Sequence, residues 1–63
     1  MVTLILRKQK FEVRAGMTLL DALKKNNLIP EGIIATREGE LIEEDELLRD
    51  GETIILISAI SGG

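Results

Sequence analysis

Residues 53–60 read TIILISAI, and the fold turns on where that stretch is placed. Its β-branched side chains favour extended backbone. Alternate side chains of a strand point to opposite faces, which puts Ile54 and Leu56 on one side and Ile55 and Ile57 on the other. A strand apolar on both faces belongs at the centre of a sheet. Asp50-Gly51, just upstream, is a turn signal that leads into it.

The chain upstream supplies its neighbours. Residues 1–7, MVTLILR, alternate with period two: Val2, Leu4 and Leu6 on one face, Thr3, Ile5 and Arg7 on the other. KQK at 8–10 is a polar break, and FEVR at 11–14 resumes the alternation, so the two strands form an antiparallel hairpin. The period then changes. Gly16 marks a turn, and Thr18 with Asp21 three positions later is a capping-box-like helix start. Leu19, Leu20, Ala22 and Leu23 share one arc of that helix, with Asp21, Lys24 and Lys25 opposite. Asn26-Asn27 and Pro30 end it after about two and a half turns. PEG at 30–32 reads as a turn, IIAT at 33–36 as a short strand, REGE at 37–40 as a turn and LI at 41–42 as a very short strand. The acidic stretch EEDELLRDGE at 43–52 reads as a solvated loop with one helical turn around Leu47 and Leu48. Its sharper reading is a docking patch for a basic partner.

Strand, strand, helix, strand, short strand, strand is an α+β layout. Pairing the last strand parallel to the first requires a crossover, which the helix and the middle strands provide. The expected architecture is a β-grasp: a mixed four- to five-stranded sheet with one helix packed across one face, in a single domain spanning residues 1–63. One helix covers one face only. The other face then presents Ile5, Ile55 and Ile57 as an apolar patch, partly shielded by Arg7, and such patches mark interaction sites.

Composition removes most other roles. The chain has 63 residues with no cysteine and no histidine. That excludes disulfides, thiolate metal sites and the commonest general base, so no catalytic or metal site of its own is expected. Residues 1–25 carry a balance of +4 and residues 26–63 one of −7, leaving −3 overall, with Phe11 the only aromatic residue. A chain with this charge and no stacking platform is not expected to bind nucleic acid directly. No apolar run approaches a membrane span, and MVT opens no signal peptide, so the expected location is the cytoplasm.

The last residues, SAISGG at 58–63, follow directly from the central strand. They are expected to form a flexible tail carrying the α-carboxylate of Gly63 on two positions stripped to backbone, slim enough to enter a narrow channel. Taken together, Asp50-Gly51-Glu52, the apolar strand 53–57 and Gly62-Gly63 resemble the ubiquitin-like sulfur carriers of the ThiS/MoaD/TtuB type. The resemblance covers essentially the whole chain. REGELI at 37–42 is also similar to the family's stretch between strands 3 and 4, with Glu38 where Asn usually precedes the glycine.

The resemblance implies a cycle run by partners. An adenylyltransferase of the ubiquitin-activating type uses ATP, which the carrier itself does not bind, to convert the Gly63 carboxylate into an acyl-adenylate. Sulfur from a persulfide enzyme displaces AMP and leaves a thiocarboxylate, which a sulfur-accepting enzyme consumes. Ile60, Ser61, Gly62 and Gly63 would enter the partners' active sites, and Ile5, Ile55 and Ile57 would dock them. The SAISGG ending looks most like the carriers of tRNA 2-thiouridine synthesis, whose acceptor is a tRNA thiolase. Carriers for thiazole synthase or molybdopterin synthesis are the alternative, as is a protein modifier joined to lysines through Gly63. A plain interaction module, indifferent to loss of Gly63, is the remaining reading.

Overall fold

The computed structural model describes residues 1–58. Five strands and one α-helix occur among them: β1 (Val2–Leu6), β2 (Gln9–Val13), α1 (Leu19–Lys25), β3 (Ile33–Arg37), β4 (Glu40–Ile42) and β5 (Thr53–Ser58). The sheet order is β2-β1-β5-β3-β4. β5 therefore sits at the centre, parallel to β1 and antiparallel to β3. This is the expected mixed β-grasp sheet, and its central strand is the one apolar on both faces.

One face of the sheet carries the core. Val2, Leu4, Val13, Ala35, Ile54 and Leu56 meet Leu19, Ala22 and Leu23 of the helix, all buried. Leu6 and Phe11 pack at its margin. Both ends of α1 are capped, as a helix half in the core requires. At the start, the Thr18 hydroxyl accepts from the Asp21 amide at 3.2 Å. At the end, the Asn27 amide donates to the Lys24 carbonyl and the Leu28 amide to that of Leu23. With Asn27 at φ 59° these bonds make a Schellman motif, in which asparagine takes the left-handed position usually given to glycine. The helix has seven residues, half a turn fewer than its apolar spacing suggested.

Both hairpins are tighter than the sequence reading. β2 begins at Gln9, so the first hairpin turns on Arg7-Lys8 alone, with Arg7 at φ 56°. Arg7 is thus a turn residue and does not continue β1 across the open face. In the second, Arg37 and Glu40 are paired in β3 and β4, and only Glu38 and Gly39 turn. Their φ values, 51° and 84°, are both in the left-handed region that a type I′ two-residue turn demands. PEG forms a single 3-10 turn.

A further difference is larger. The acidic stretch forms no helix. It turns at Glu44-Asp45, where the Glu46 amide donates to the Glu43 carbonyl, and folds back onto the start of α1, where Thr18 bridges Leu47. The Leu19 amide donates to the Glu46 carbonyl and the Leu20 amide to that of Glu44, each at 2.9 Å. The Leu48 amide donates to Met17, and the Gly16 amide to Leu48. The helix's first amides thus find partners in this stretch, an outcome worth more than a solvated helical turn. Leu48 is driven into the core at 1% exposure while Leu47 remains 58% exposed.

Arg37 ties the same stretch to the sheet. Its Nε lies 2.7 Å from Glu52 Oε2 as an ion-pair contact. One terminal nitrogen donates to Glu52 Oε1 at 3.1 Å and to the Leu47 carbonyl at 2.9 Å, and the other reaches Glu46 at 3.3 Å. Glu52 Oε1 also accepts from the Arg49 amide at 2.6 Å. Glu52, the last residue of the Asp50-Gly51-Glu52 run, is therefore a clamp on the approach to β5.

Candidate functional site

The face of the sheet turned away from α1 is built by register. Ile5 on β1 lies opposite Ile55 on β5 and Lys10 on β2, and Ile55 lies opposite Thr36 on β3. Thr36 in turn faces Leu41 on β4. One row therefore crosses the whole sheet as Lys10, Ile5, Ile55, Thr36, Leu41. Beside it, Ile57 pairs with Ile34. Ile55 is 42% exposed and Ile57 48%, while Ile5 between its neighbours is half-buried. The Thr36 hydroxyl donates to the Ile55 carbonyl at 3.3 Å, which turns its polar atom onto the backbone.

The structure thus brings Ile5, Ile55 and Ile57 together on one open face, and adds Ile34 and Leu41. Sequence reading missed both additions. Ile33 and Ile34 are adjacent and equally apolar, so alternation alone does not say which faces the helix. The tight Glu38-Gly39 turn does: it fixes Arg37 opposite Glu40, which puts Leu41 beside Thr36 and sets the phase of both strands.

β5 runs through Ser58, which pairs with Ile33. The tail expected to leave the sheet at 58 is still paired there. Ile60, Ser61, Gly62 and Gly63 lie outside the described residues. Ile55 and Ile57 stand on the last described strand before them, so the apolar face and the route toward Gly63 share one element.

Edge strand β2 carries Lys10 and Glu12, the opposite edge strand β4 carries Glu40, and Glu43, Glu44, Asp45 and Glu46 follow β4 toward the start of α1. Asp50 pairs with the Met1 ammonium, and this hydrogen-bonded cation holds its carboxyl below the usual carboxylate range. Among the described residues no group of three or more His, Cys, Asp or Glu side chains could hold a metal ion. Among them, too, no helix is long and apolar enough to cross a membrane.

Three of the matches to known proteins bear on the family and the fold. The model of the ThiS family matches residues 2–63. The sulfur carrier protein TtuB of Thermus thermophilus is 34% identical over 56 residues, covering 89% of this chain and 86% of that protein. The crystal structure of SAMP1 from Haloferax volcanii superposes with a TM-score of 0.64 at 18% identity, covering 98% of each chain. The last likeness is one of fold: the ubiquitin-like β-grasp.

Proposed function

The chain belongs to the ThiS family, and on that premise we propose that it carries sulfur as a thiocarboxylate on Gly63 for tRNA 2-thiouridine synthesis. Membership makes it a small carrier rather than a catalyst, one that works with activating and sulfur-transfer enzymes. The observation that carries the finer reading is the extent of the family match, which runs through Gly62 and Gly63. The 34% identity to a sulfur carrier supports the cargo, and the likeness of SAISGG to the 2-thiouridine carriers supports the pathway.

In the proposed cycle a Gly63 carboxylate oxygen attacks the α-phosphorus of ATP on an adenylyltransferase of the ubiquitin-activating type, and pyrophosphate leaves. The terminal sulfur of a partner's persulfide then attacks the acyl carbon and expels AMP, giving an acyl persulfide. A thiol attacks the inner sulfur, which leaves the thiocarboxylate on Gly63 and a disulfide on the partner. A tRNA thiolase consumes the sulfur. The carrier contributes binding and delivery. Ile5, Ile55 and Ile57 dock the enzymes, and five extended residues beyond Ser58 would span about 17 Å, enough to pass Ile60–Gly63 into a channel. We place this cycle in the cytoplasm, where the partners' ATP and thiols are found.

Intact mass tests the reading. Incubated with the activating enzyme, ATP and a persulfide donor, the chain should gain the mass difference between sulfur and oxygen, and a Gly63-deleted chain should not. Cells lacking the carrier should lose 2-thiouridine from bulk tRNA. An unchanged mass, or only lysine-linked adducts, rejects the thiocarboxylate. Intact 2-thiouridine with thiamine or molybdopterin lost rejects the pathway.

A further inference from the structure

β4 is a short partner for β3. It pairs with Ala35, Thr36 and Arg37 only, so Ile33 and Ile34 have β5 on one side and, among the described residues, no strand on the other. The cause is local. After Ile42 the chain must leave the sheet to place the Glu44 carbonyl on the Leu20 amide. That divergence opens a cleft of about 680 Å³ between α1 and the β3–β4 edge. Its floor is apolar: Leu19 and Leu23 from the helix, Ile33, Ala35 and Ile42 from the sheet. Ile34 and Leu41, 42% and 73% exposed, form its outer lip. Glu43, Glu44 and Asp45 line it where the chain crosses from β4 to α1. None of these three acids is in an ion pair among the described residues.

We propose that this cleft docks an extended segment of a partner protein in which apolar residues alternate with lysine or arginine. The occupant follows from the lining. A segment laid along the unpaired stretch of β3 sends alternate side chains to opposite sides. The set turned to the open face meets Ile34 and Leu41, and the set turned toward α1 meets Glu43, Glu44 and Asp45, where a lysine or arginine stem can lie on Ile33 and Ile42 with its charge against the carboxylates. An acidic or purely apolar segment leaves that rim uncompensated, and like charge opposes it. The site lies at the edge of the sheet beside α1 and shares only its lip, Ile34 and Leu41, with the open face centred on Ile55. It also lies at the end of β3 where Ser58 pairs with Ile33, so a partner held here has the last residues of the chain within reach. The inference does not depend on sulfur chemistry at Gly63.

The test is an NMR titration of the ¹⁵N-labelled full chain with a short, end-capped peptide alternating lysine and valine. Amide shifts are expected at Ile33, Ile34 and Leu41–Asp45, with little change at Val2–Leu6. Replacing valine by serine, or lysine by glutamate, should weaken binding. The variant Glu43→Gln/Glu44→Gln/Asp45→Asn should weaken it about tenfold, as three exposed ion pairs suggest, and added salt should do the same. Glu44 caps the helix through its carbonyl, so the variant keeps its melting temperature. Deleting Gly63 should leave binding unchanged, which separates this site from the sulfur-carrying reading. Shifts centred on Ile5 and Ile55, equal binding of the glutamate or serine peptide, or full affinity in the triple variant would each overturn the proposal.

Discussion

Replacing Ile55 and Ile57 together by threonine separates docking from chemistry. Threonine keeps the β-branch that suits a strand, and both positions are already 42–48% exposed, so the fold loses only part of what full burial would give. Fully burying an isoleucine is worth about 1.5–3 kcal/mol. The exposed share leaves about 0.6–1.4 kcal/mol at each position for a partner to gain by covering it. Both together are worth about 1.3–2.7 kcal/mol, roughly a tenfold to hundredfold change in affinity. A hydroxyl trapped at the interface adds to the loss. The assay is ATP–pyrophosphate exchange by the activating partner as a function of carrier concentration. KM should rise by that factor while kcat stays level, because the reacting carboxylate is untouched. Unfolding entropy for 63 residues is about 0.13 kcal/mol per kelvin. By the same measure the buried shares of the two side chains amount to about 1.7–3.3 kcal/mol, so the melting temperature falls by at most about 13–25 °C, less what the threonine methyls retain, and the assay is run where the variant is folded. An unchanged KM in a folded double variant would refute the open face as the docking surface, and a fallen kcat at unchanged KM would assign these residues a different role.

The same entropy scales a contrast between neighbours: Leu48→Ala should cost about 3 kcal/mol and lower the melting temperature by about 20 °C. Leu47→Ala should stay within about 4 °C, and equal shifts would deny that the acidic stretch enters the core. Glu38→Asn should raise the melting temperature by about 4–8 °C, since asparagine accepts the φ of 51° at that position with less strain. For Asp50, the unfolded state binds more protons than the folded one between the ordinary carboxylate pKa and the lowered folded value, so stability rises with pH there. Thermal melts across the acid range should show the advantage of the native chain over Asp50→Asn present above that window and lost as pH falls through it; a pH-independent difference would contradict the pairing with Met1.

The sheet was legible where a residue's fate depends on its immediate neighbours. β5 reads as central because Ile54–Ile57 leave it no polar face, and α1 reads from Thr18, Asp21 and the leucine spacing. Each signal is local and agrees with the rest of the fold. Leu47 and Leu48 lack such a signal. Adjacent leucines in an acidic run have equal claims on the core, and the choice is made by the helix's need for carbonyls at its first amides, a tertiary condition. Arg7 and Glu38 were obscured differently. Neither is a residue that marks left-handed backbone, so the tight turns they occupy are wider on paper than in space.

The two candidate surfaces differ in legibility for a related reason. Ile5, Ile55 and Ile57 were found because strand alternation converts sequence directly into a face. Ile34 and Leu41 needed one more fact, the two-residue turn at Glu38-Gly39 that locks β3 to β4. The cleft needed two further facts, that β4 stops at Ile42 and that residues 43–45 depart to serve α1. No residue type announces a departure. The cleft exists because helix capping and strand pairing compete for the same short segment, and capping wins after Ile42. A variant that weakened the capping contacts, so that residues 43–44 could pair with Ile33 and Ile34, should therefore extend β4 and close the cleft at the same time.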